Sequence, residues 1–304
     1  MSECLFSVVI ACYNHEQFAR ESVTSALLQK EPGKEVIVVD DCSRDGTAGI
    51  LKSFGEQIVL ACLPVNGGVA AARNHGASLA RGEYIVFLDG DDVLTPYALT
   101  VYRRLIEERH PKILMALSRK FYGPGPAPEI AQPAGEIQFA DYPDFFSKDR
   151  NWVYNSSSLI VERAAFQASG GWTPEIFYQD IQDLLNKLGA AGRAIQILSP
   201  ETVWYRMHTT NAVRKVLPFV EGIYRLLAKA KAGAYPGGRE YKGKRAAWFG
   251  GLIYYWAKEA IRTGHVRQGL KLFAIGFWMI LLAVVRRGAA VVIGRRPVEA
   301  IPME

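Results

Sequence analysis

The first hundred residues alternate between two hydrophobic rhythms. Residues 6–11, 35–39, 57–61 and 84–88 are short, apolar, β-rich runs without the polar alternation of a half-exposed strand. The first two predict buried strands and the other two further strands of the same sheet. Between them the apolar positions recur at helical spacing. Residues 14–30 predict a helix capped by Asn14, with Gln17 three residues on, and residues 47–54 and 68–80 predict two more. Strands alternating with helices at this pitch predict an α/β fold built on a doubly wound, mostly parallel sheet.

Beyond residue 92 the rhythm is less regular. Gly123-Pro-Gly-Pro-Ala-Pro128 predicts a surface loop, residues 155–161 a further strand and residues 180–191 a helix. A Gly/Pro/basic stretch at 232–244 precedes a segment rich in helix formers, so the chain divides into an α/β domain, 1–211, and a basic helical region, 212–304. The longest apolar run is 272–285. As a helix it would cover roughly 21 Å against about 30 Å of hydrocarbon, too short to span a bilayer. Arg286-Arg287 closes it and a second apolar patch ends at Arg295-Arg296. A helix lying in a membrane surface, with arginines at the headgroups, is the expectation. Packing against the domain or another subunit is the alternative.

Charge supports that division. Residues 1–205 carry 18 Lys/Arg against 25 Asp/Glu, whereas residues 206–304 carry 18 against 5. An acidic half suits cation handling, and a basic half beside apolar runs suits an anionic surface better than nucleic acid. The cysteines, Cys4, Cys12, Cys42 and Cys62, lack CxxC spacing, which argues against a zinc site or redox pair. The N-terminus shows no secretory pattern, so a cytoplasmic protein is expected.

Two predicted strands end in paired carboxylates, Asp40-Asp41 and Asp89-Gly90-Asp91-Asp92. Ligands of open parallel sheets bind beyond the carboxyl ends of strands. Clustered carboxylates repel unless donors or a cation compensate, and Mg²⁺ or Mn²⁺ prefers such oxygens and commonly bridges to phosphates. The plainer reading makes them turn and helix-capping residues. No GxGxxG follows the first strand and no GxxxxGK[ST] is present, which removes the main support for dinucleotide and P-loop sites.

Phe6-Ser-Val-Val-Ile-Ala-Cys-Tyr-Asn14, Val36-Ile-Val-Val-Asp-Asp-Cys-Ser-Arg-Asp-Gly-Thr47, Asn66-Gly-Gly-Val-Ala-Ala-Ala-Arg-Asn74 and Gly82-Glu-Tyr-Ile-Val-Phe-Leu-Asp-Gly-Asp-Asp92 follow one another in order. Together they resemble the successive motifs of family 2 glycosyltransferases. The resemblance implies a GT-A fold and inverting transfer from a nucleoside diphosphate sugar, most often with UDP, to a hydroxyl of a glycan or lipid-linked acceptor in surface polysaccharide synthesis. It implies donor binding by Ala11, Tyr13, Asn14, Asp40, Asp41, Asn66, Arg73, Asp89 and Gly90. Asp40 would meet the nucleobase, Asp89 the ribose, and Asp91 of the DxD motif a Mn²⁺ or Mg²⁺ ion. Arg73 would help hold the nucleotide.

The family's base lies in an acidic motif after a Gly-Gly-aromatic turn. Here Gly170-Gly-Trp172 precedes Tyr178-Gln-Asp180-Ile-Gln-Asp183, which implies Asp180 as the base, with Asp183 as the alternative. The stretch from Trp204 to Asn211 resembles the later Arg-x-His motif, and His208 would be a further metal ligand or diphosphate contact. The Gln-x-x-Arg-Trp motif of processive synthases is absent, favouring single addition at the inner face of the cell membrane. Two rival readings are a nucleotide-sugar-binding protein without activity and a sugar nucleotidyltransferase. The second would need a Gly-rich, basic triphosphate loop where Ala11-Cys-Tyr-Asn14 stands.

Overall fold

The computed structural model describes residues 4–130, 135–147, 155–209, 215–293 and 296–303. Asn211 and Arg295 lie outside them. The elements in chain order are β1 (Phe6–Cys12), α1 (Ala19–Leu27), β2 (Lys34–Asp40), α2 (Thr47–Lys52), β3 (Val59–Cys62), α3 (Val69–Leu79), β4 (Tyr84–Asp89) and β5 (Val93–Leu94). They continue with α4 (Ala98–Arg109), β6 (Ile113–Met115), β7 (Ser118–Tyr122), β8 (Glu136–Tyr142), β9 (Leu159–Glu162), α5 (Arg163–Ala168) and α6 (Asp180–Leu188). The last are β10 (Ala194–Ser199), β11 (Val203–Met207), α7 (Val216–Lys231), α8 (Gly238–Arg262), α9 (Val266–Ile293) and β12 (Glu299–Pro302).

The four strands read from the first hundred residues form one side of a nine-stranded sheet among the described residues, ordered β12-β8-β10-β6-β9-β4-β1-β2-β3. β1 is buried along its whole length because helices cover both of its faces. That double cover is why its sequence lacks alternation. β3, β2, β1 and β4 are parallel. β9 then runs antiparallel between β4 and β6, and β8 and β12 extend the far edge antiparallel. The sheet is therefore mixed, and its chain order reverses between β1 and β4. A second sheet, β5-β11-β7, stands beside the carboxyl ends of that central pair.

Two local expectations shift. The first helix begins at Ala19, and Asn14 does not cap it; Asn14 adopts a left-handed backbone, φ +54°, inside the preceding loop. The segment 232–244 is not all loop, since α8 starts at Gly238. The boundary at 211 also does not cleanly divide the molecule. After the helices, the chain returns to the sheet as β12, pairing with β8, and the Arg109 guanidinium lies 2.7 Å from Glu299.

The 272–285 run sits inside the longer helix α9, which has 28 residues. By length and composition the stretch Val266–Arg286 is sufficient to cross a bilayer, so the uninterrupted apolar run understated its reach. α9 packs back against α8 in a close hairpin. A Cβ at Gly250 would stand 1.9 Å from the Met279 carbonyl oxygen, so the two backbones touch there. The outer side of the hairpin leaves Tyr255, Phe277, Trp278, Leu281 and Val285 exposed, and Lys258, Arg262, Arg267 and Lys271 flank its turn.

Gly250→Val forces the hairpin apart and is expected to lower stability by about 1–3 kcal/mol, read as a drop in the thermal midpoint. Gly243→Ala, on the same helix in open space, is the control and should leave the midpoint unchanged or slightly higher.

Candidate active site

The carboxyl ends of β1, β2 and β4 form one row. Register sets Cys12 beside Asp40 and Ala11 beside Asp89, at the place where strand order reverses. Above this row the loops after β1 and β2 hold each other. The Asn14 amide donates to Ser43 Oγ (2.9 Å), Asn14 Oδ1 accepts from the Arg44 amide (2.8 Å), and Glu16 accepts from the Gly46 amide (2.9 Å). The His15 amide donates to Thr47 Oγ1 (2.8 Å). Tyr13 remains exposed at the rim.

Asp40 and Asp41 are both buried, yet they have different partners. Asp40 Oδ1 accepts from the Ser43 hydroxyl at 2.5 Å. The two oxygens of Asp41 accept the Gly67 and Gly68 amides, each at 2.8 Å, immediately before α3. Asp41 thus pins the loop that leads into α3, and Asn66 Nδ2 donates to the Asp41 carbonyl. Asp41 and Asn66, both read from the sequence as donor contacts, also shape this loop.

Ligating atoms of Asp89, Asp91 and Asp92 lie within 4.8 Å of one another. Asp92 is fully buried and accepts from the Ser157 hydroxyl (2.5 Å) and the Arg206 amide (2.9 Å). His208 Nε2 is 2.8 Å from Asp91 Oδ2, and its ring stacks on Phe18 with centroids 5.0 Å apart. The buried Arg206 donates from Nε to the Asp91 carbonyl, 2.9 Å, and lies between the rings of Phe18 and Phe121. Gly90 has no room for a side chain, since a Cβ would meet His15 Nδ1 at 2.5 Å and Cys12 Sγ at 2.6 Å.

The electrostatics of this cluster are unbalanced. Burial, reinforced by the charges of Asp91 and Asp89, pushes the Asp92 carboxyl well above the ordinary carboxylate range. Burial also raises Asp89 against the opposing pull of Arg73. At Asp91 burial is outweighed by the His208 hydrogen bond and the fields of His15 and His208, which hold it below the ordinary value. Crowded carboxylate oxygens with an imidazole alongside are a donor set that a hard divalent cation fits, because the ion relieves the repulsion that protonation otherwise relieves.

Arg73 connects this cluster to α6. Its guanidinium is 3% exposed, lies 4.5 Å from the centre of the Trp172 ring, and pairs with Asp89 Oδ1 at 2.5 Å and Asp180 Oδ2 at 2.7 Å. Among the described residues it clamps two acidic side chains together. Asp183, one turn along α6, has no exposure and is enclosed by Thr173 Oγ1 (2.5 Å), Lys229 Nζ (2.6 Å) and Tyr235 OH (2.7 Å). Ser157, Trp172, Lys229 and Tyr235 were not anticipated. Only Trp172 carried a signal, through the Gly-Gly-Trp turn; the others meet the site from segments with no motif of their own.

The family model described as glycosyl transferase family 2 matches residues 7–167, just over half of the chain. The poly(ribitol-phosphate) beta-N-acetylglucosaminyltransferase TarS of Staphylococcus aureus (strain Mu50 / ATCC 700699) is 28% identical over 160 residues, 51% of this chain and 28% of that protein. The succinoglycan biosynthesis protein ExoO of Rhizobium meliloti (strain 1021) is 40% identical over 100 residues, 33% of this chain and 28% of that protein. The chain spans between 28% and 36% of the length of such curated relatives. Among solved structures, S. aureus TarS 1–349 in complex with UDP-GlcNAc superposes with a TM-score of 0.63 at 22% identity, covering 81% of this chain and 71% of that one. The mannosyltransferase PcManGT from Pyrobaculum calidifontis, in complex with GDP-Man and Mn2+, covers 96% and 76% with a TM-score of 0.55 at 16% identity. The fold shared with them is GT-A.

Arg73→Met leaves the half-buried Asp89 and Asp180 without their cation. The expected cost is about 3–5 kcal/mol, measured by chemical denaturation; a change below about 1 kcal/mol would mean that the clamp does not hold the site together.

Proposed function

The chain belongs to glycosyl transferase family 2, and from that premise we propose that it is an inverting glycosyltransferase. It takes a sugar from a nucleoside diphosphate donor, of which a UDP-sugar is the first choice, and transfers it to a hydroxyl of a glycan or lipid-linked acceptor in surface polysaccharide synthesis. The observation that carries this reading is the shared guanidinium: Arg73 bonds at once to Asp89 of the DxD motif and to Asp180. Donor and acceptor chemistry are thereby set at one distance.

In this reading the donor lies over the row from Asp40 to Asp89, with Ala11, Tyr13, Asn14 and Gly90 around it. Asp91 and His208 are the first choice to hold Mn²⁺ or Mg²⁺, with Asp89 and Asp92 adjoining. When bound, the ion neutralises charge on the leaving diphosphate. Asp180 is the base. Arg73 binds its Oδ2, which leaves Oδ1 to accept the proton from the attacking acceptor hydroxyl. Asp183 is unsuited to that role, because its enclosure leaves no path to an acceptor.

The exposed apolar side of the α8–α9 hairpin and its basic flank support a seat on the anionic inner leaflet, where a lipid-linked acceptor would be presented.

Among UDP-, GDP- and dTDP-sugars, one donor should release nucleotide with Mn²⁺ or Mg²⁺, and EDTA or Asp91→Ala should abolish release. Asp180→Asn should retain donor binding by thermal shift while transfer falls about 10²–10⁴-fold. Neither binding nor release across the panel would overturn the assignment. For the membrane seat, Phe277→Glu with Trp278→Glu should move the protein from the pellet to the supernatant when spun with anionic vesicles. Unchanged pelleting would place the contact elsewhere.

A further inference from the structure

The loop that delivers Asp180 runs from Trp172 to Gln179. Its start is pinned to α3, where Asn74 and Trp172 exchange two hydrogen bonds, Trp172 amide to Oδ1 at 2.9 Å and Nδ2 to Trp172 carbonyl at 2.8 Å. Beyond Trp172 the loop follows α7 instead. Positions 219, 222, 225 and 229 recur at three- and four-residue intervals, which places them on one helix face. Each of them meets the loop. Phe219 packs edge-on against Tyr178, with centroids 5.3 Å apart, and its carbonyl accepts from Gln179 Nε2 at 3.2 Å. A Cβ at Gly222 would stand 2.6 Å from Gln179 Cγ and 3.2 Å from the Phe177 carbonyl, so the helix backbone lies directly on residues 177–179. Arg225 Nη1 donates to the Glu175 carbonyl at 2.7 Å. Lys229 Nζ reaches Asp183 Oδ1 at 2.6 Å and Thr173 Oγ1 at 3.2 Å.

These contacts lie on both sides of Asp180. On the amino side Tyr178 has a left-handed backbone, φ +64°, a conformation that costs energy in a non-glycine residue and persists only where neighbours impose it. Phe219 is the neighbour in place, and Trp256 of α8 stacks on Phe219 at 4.2 Å. On the carboxyl side Asp183 accepts Lys229 and the Tyr235 hydroxyl, 2.7 Å, on the same oxygen, which locks the first turn of α6.

We propose that this face of α7, with Tyr235 following it, is a splint that positions Asp180. Phe219 and Gly222 shape the residues before it, and Lys229 and Tyr235 hold the helix turn after it. They are positioning residues, since they act through the loop and through Asp183. The inference rests on Asp180 as the proposed base and adds that the helical region beyond residue 211 is part of the active site's framework.

The test uses the full chain with Tyr235→Phe, which removes one hydroxyl, with Lys229→Met, which removes the charge, and with Lys229→Arg as the conservative rescue. Two readouts are taken. Steady-state transfer should show kcat lowered by on the order of 10–100-fold in Lys229→Met, with KM for the donor within about twofold of the parent, and Lys229→Arg recovering most of the loss. Hydrogen–deuterium exchange should quicken in peptides covering 173–188 and stay unchanged across 84–92. Unchanged exchange at 173–188 in Lys229→Met overturns the splint, as does quickened exchange with kcat intact. A rise in donor KM that accounts for the whole loss also overturns it, because donor binding rather than the base would then have moved. If the parent protein turns over no donor, the functional reading fails, and the exchange measurement still decides whether α7 and Tyr235 hold the loop.

Discussion

One guanidinium sets the geometry on which the rest of the site depends. Arg73 projects from α3, which packs on the sheet, and it reaches both the end of β4 and the start of α6. Buried ion pairs gain little net stability, because desolvation offsets most of the attraction, but they are costly to break and so restrict where their partners can stand. The packing of Arg73 over Trp172 narrows the choice further, since the ring restrains the guanidinium that binds both carboxylates. Asp180 is thus placed relative to the DxD cluster by a side chain from a third element.

The two aspartate pairs divide their labour in the same way. In each, the second residue is satisfied internally: Asp41 by the amides of Gly67 and Gly68, Asp92 by the amide of Arg206 and the hydroxyl of Ser157. These partners belong to the loop before α3, to β11 and to the turn before β9. The second carboxylate of each pair therefore ties a neighbouring segment to the strand end. The second acidic residue at each strand end is accordingly a fastening.

What could be read from the sequence follows from the range of the interactions involved. β1, β2 and β4 were legible because burial on both faces is written locally, residue by residue. The motifs placed Asp40, Asp89, Asp91, Asp180 and His208 in one neighbourhood, and the geometry brings them there. The loop role of Asp41 was less visible, because its partners lie more than twenty residues away and are backbone amides, which have no residue signature. β9 lies within the reach of the strand expected at 155–161, whereas β8 escaped because a single strand beyond the motifs has nothing else in the sequence to mark it. Arg73 was recognised by its motif but not by its partners. An arginine looks the same in sequence whether it meets a phosphate or two aspartates.

The return of the chain to the sheet at β12 changes the mechanical character of the helical region. A tail fixed at one end can swing freely, whereas the α8–α9 hairpin is rooted through α7 on one side and through the β8–β12 pairing and the Arg109–Glu299 bridge on the other. Two roots remove most of the rotational freedom of a tether. A surface that holds the hairpin therefore holds the sheet with it, at a constant height and angle.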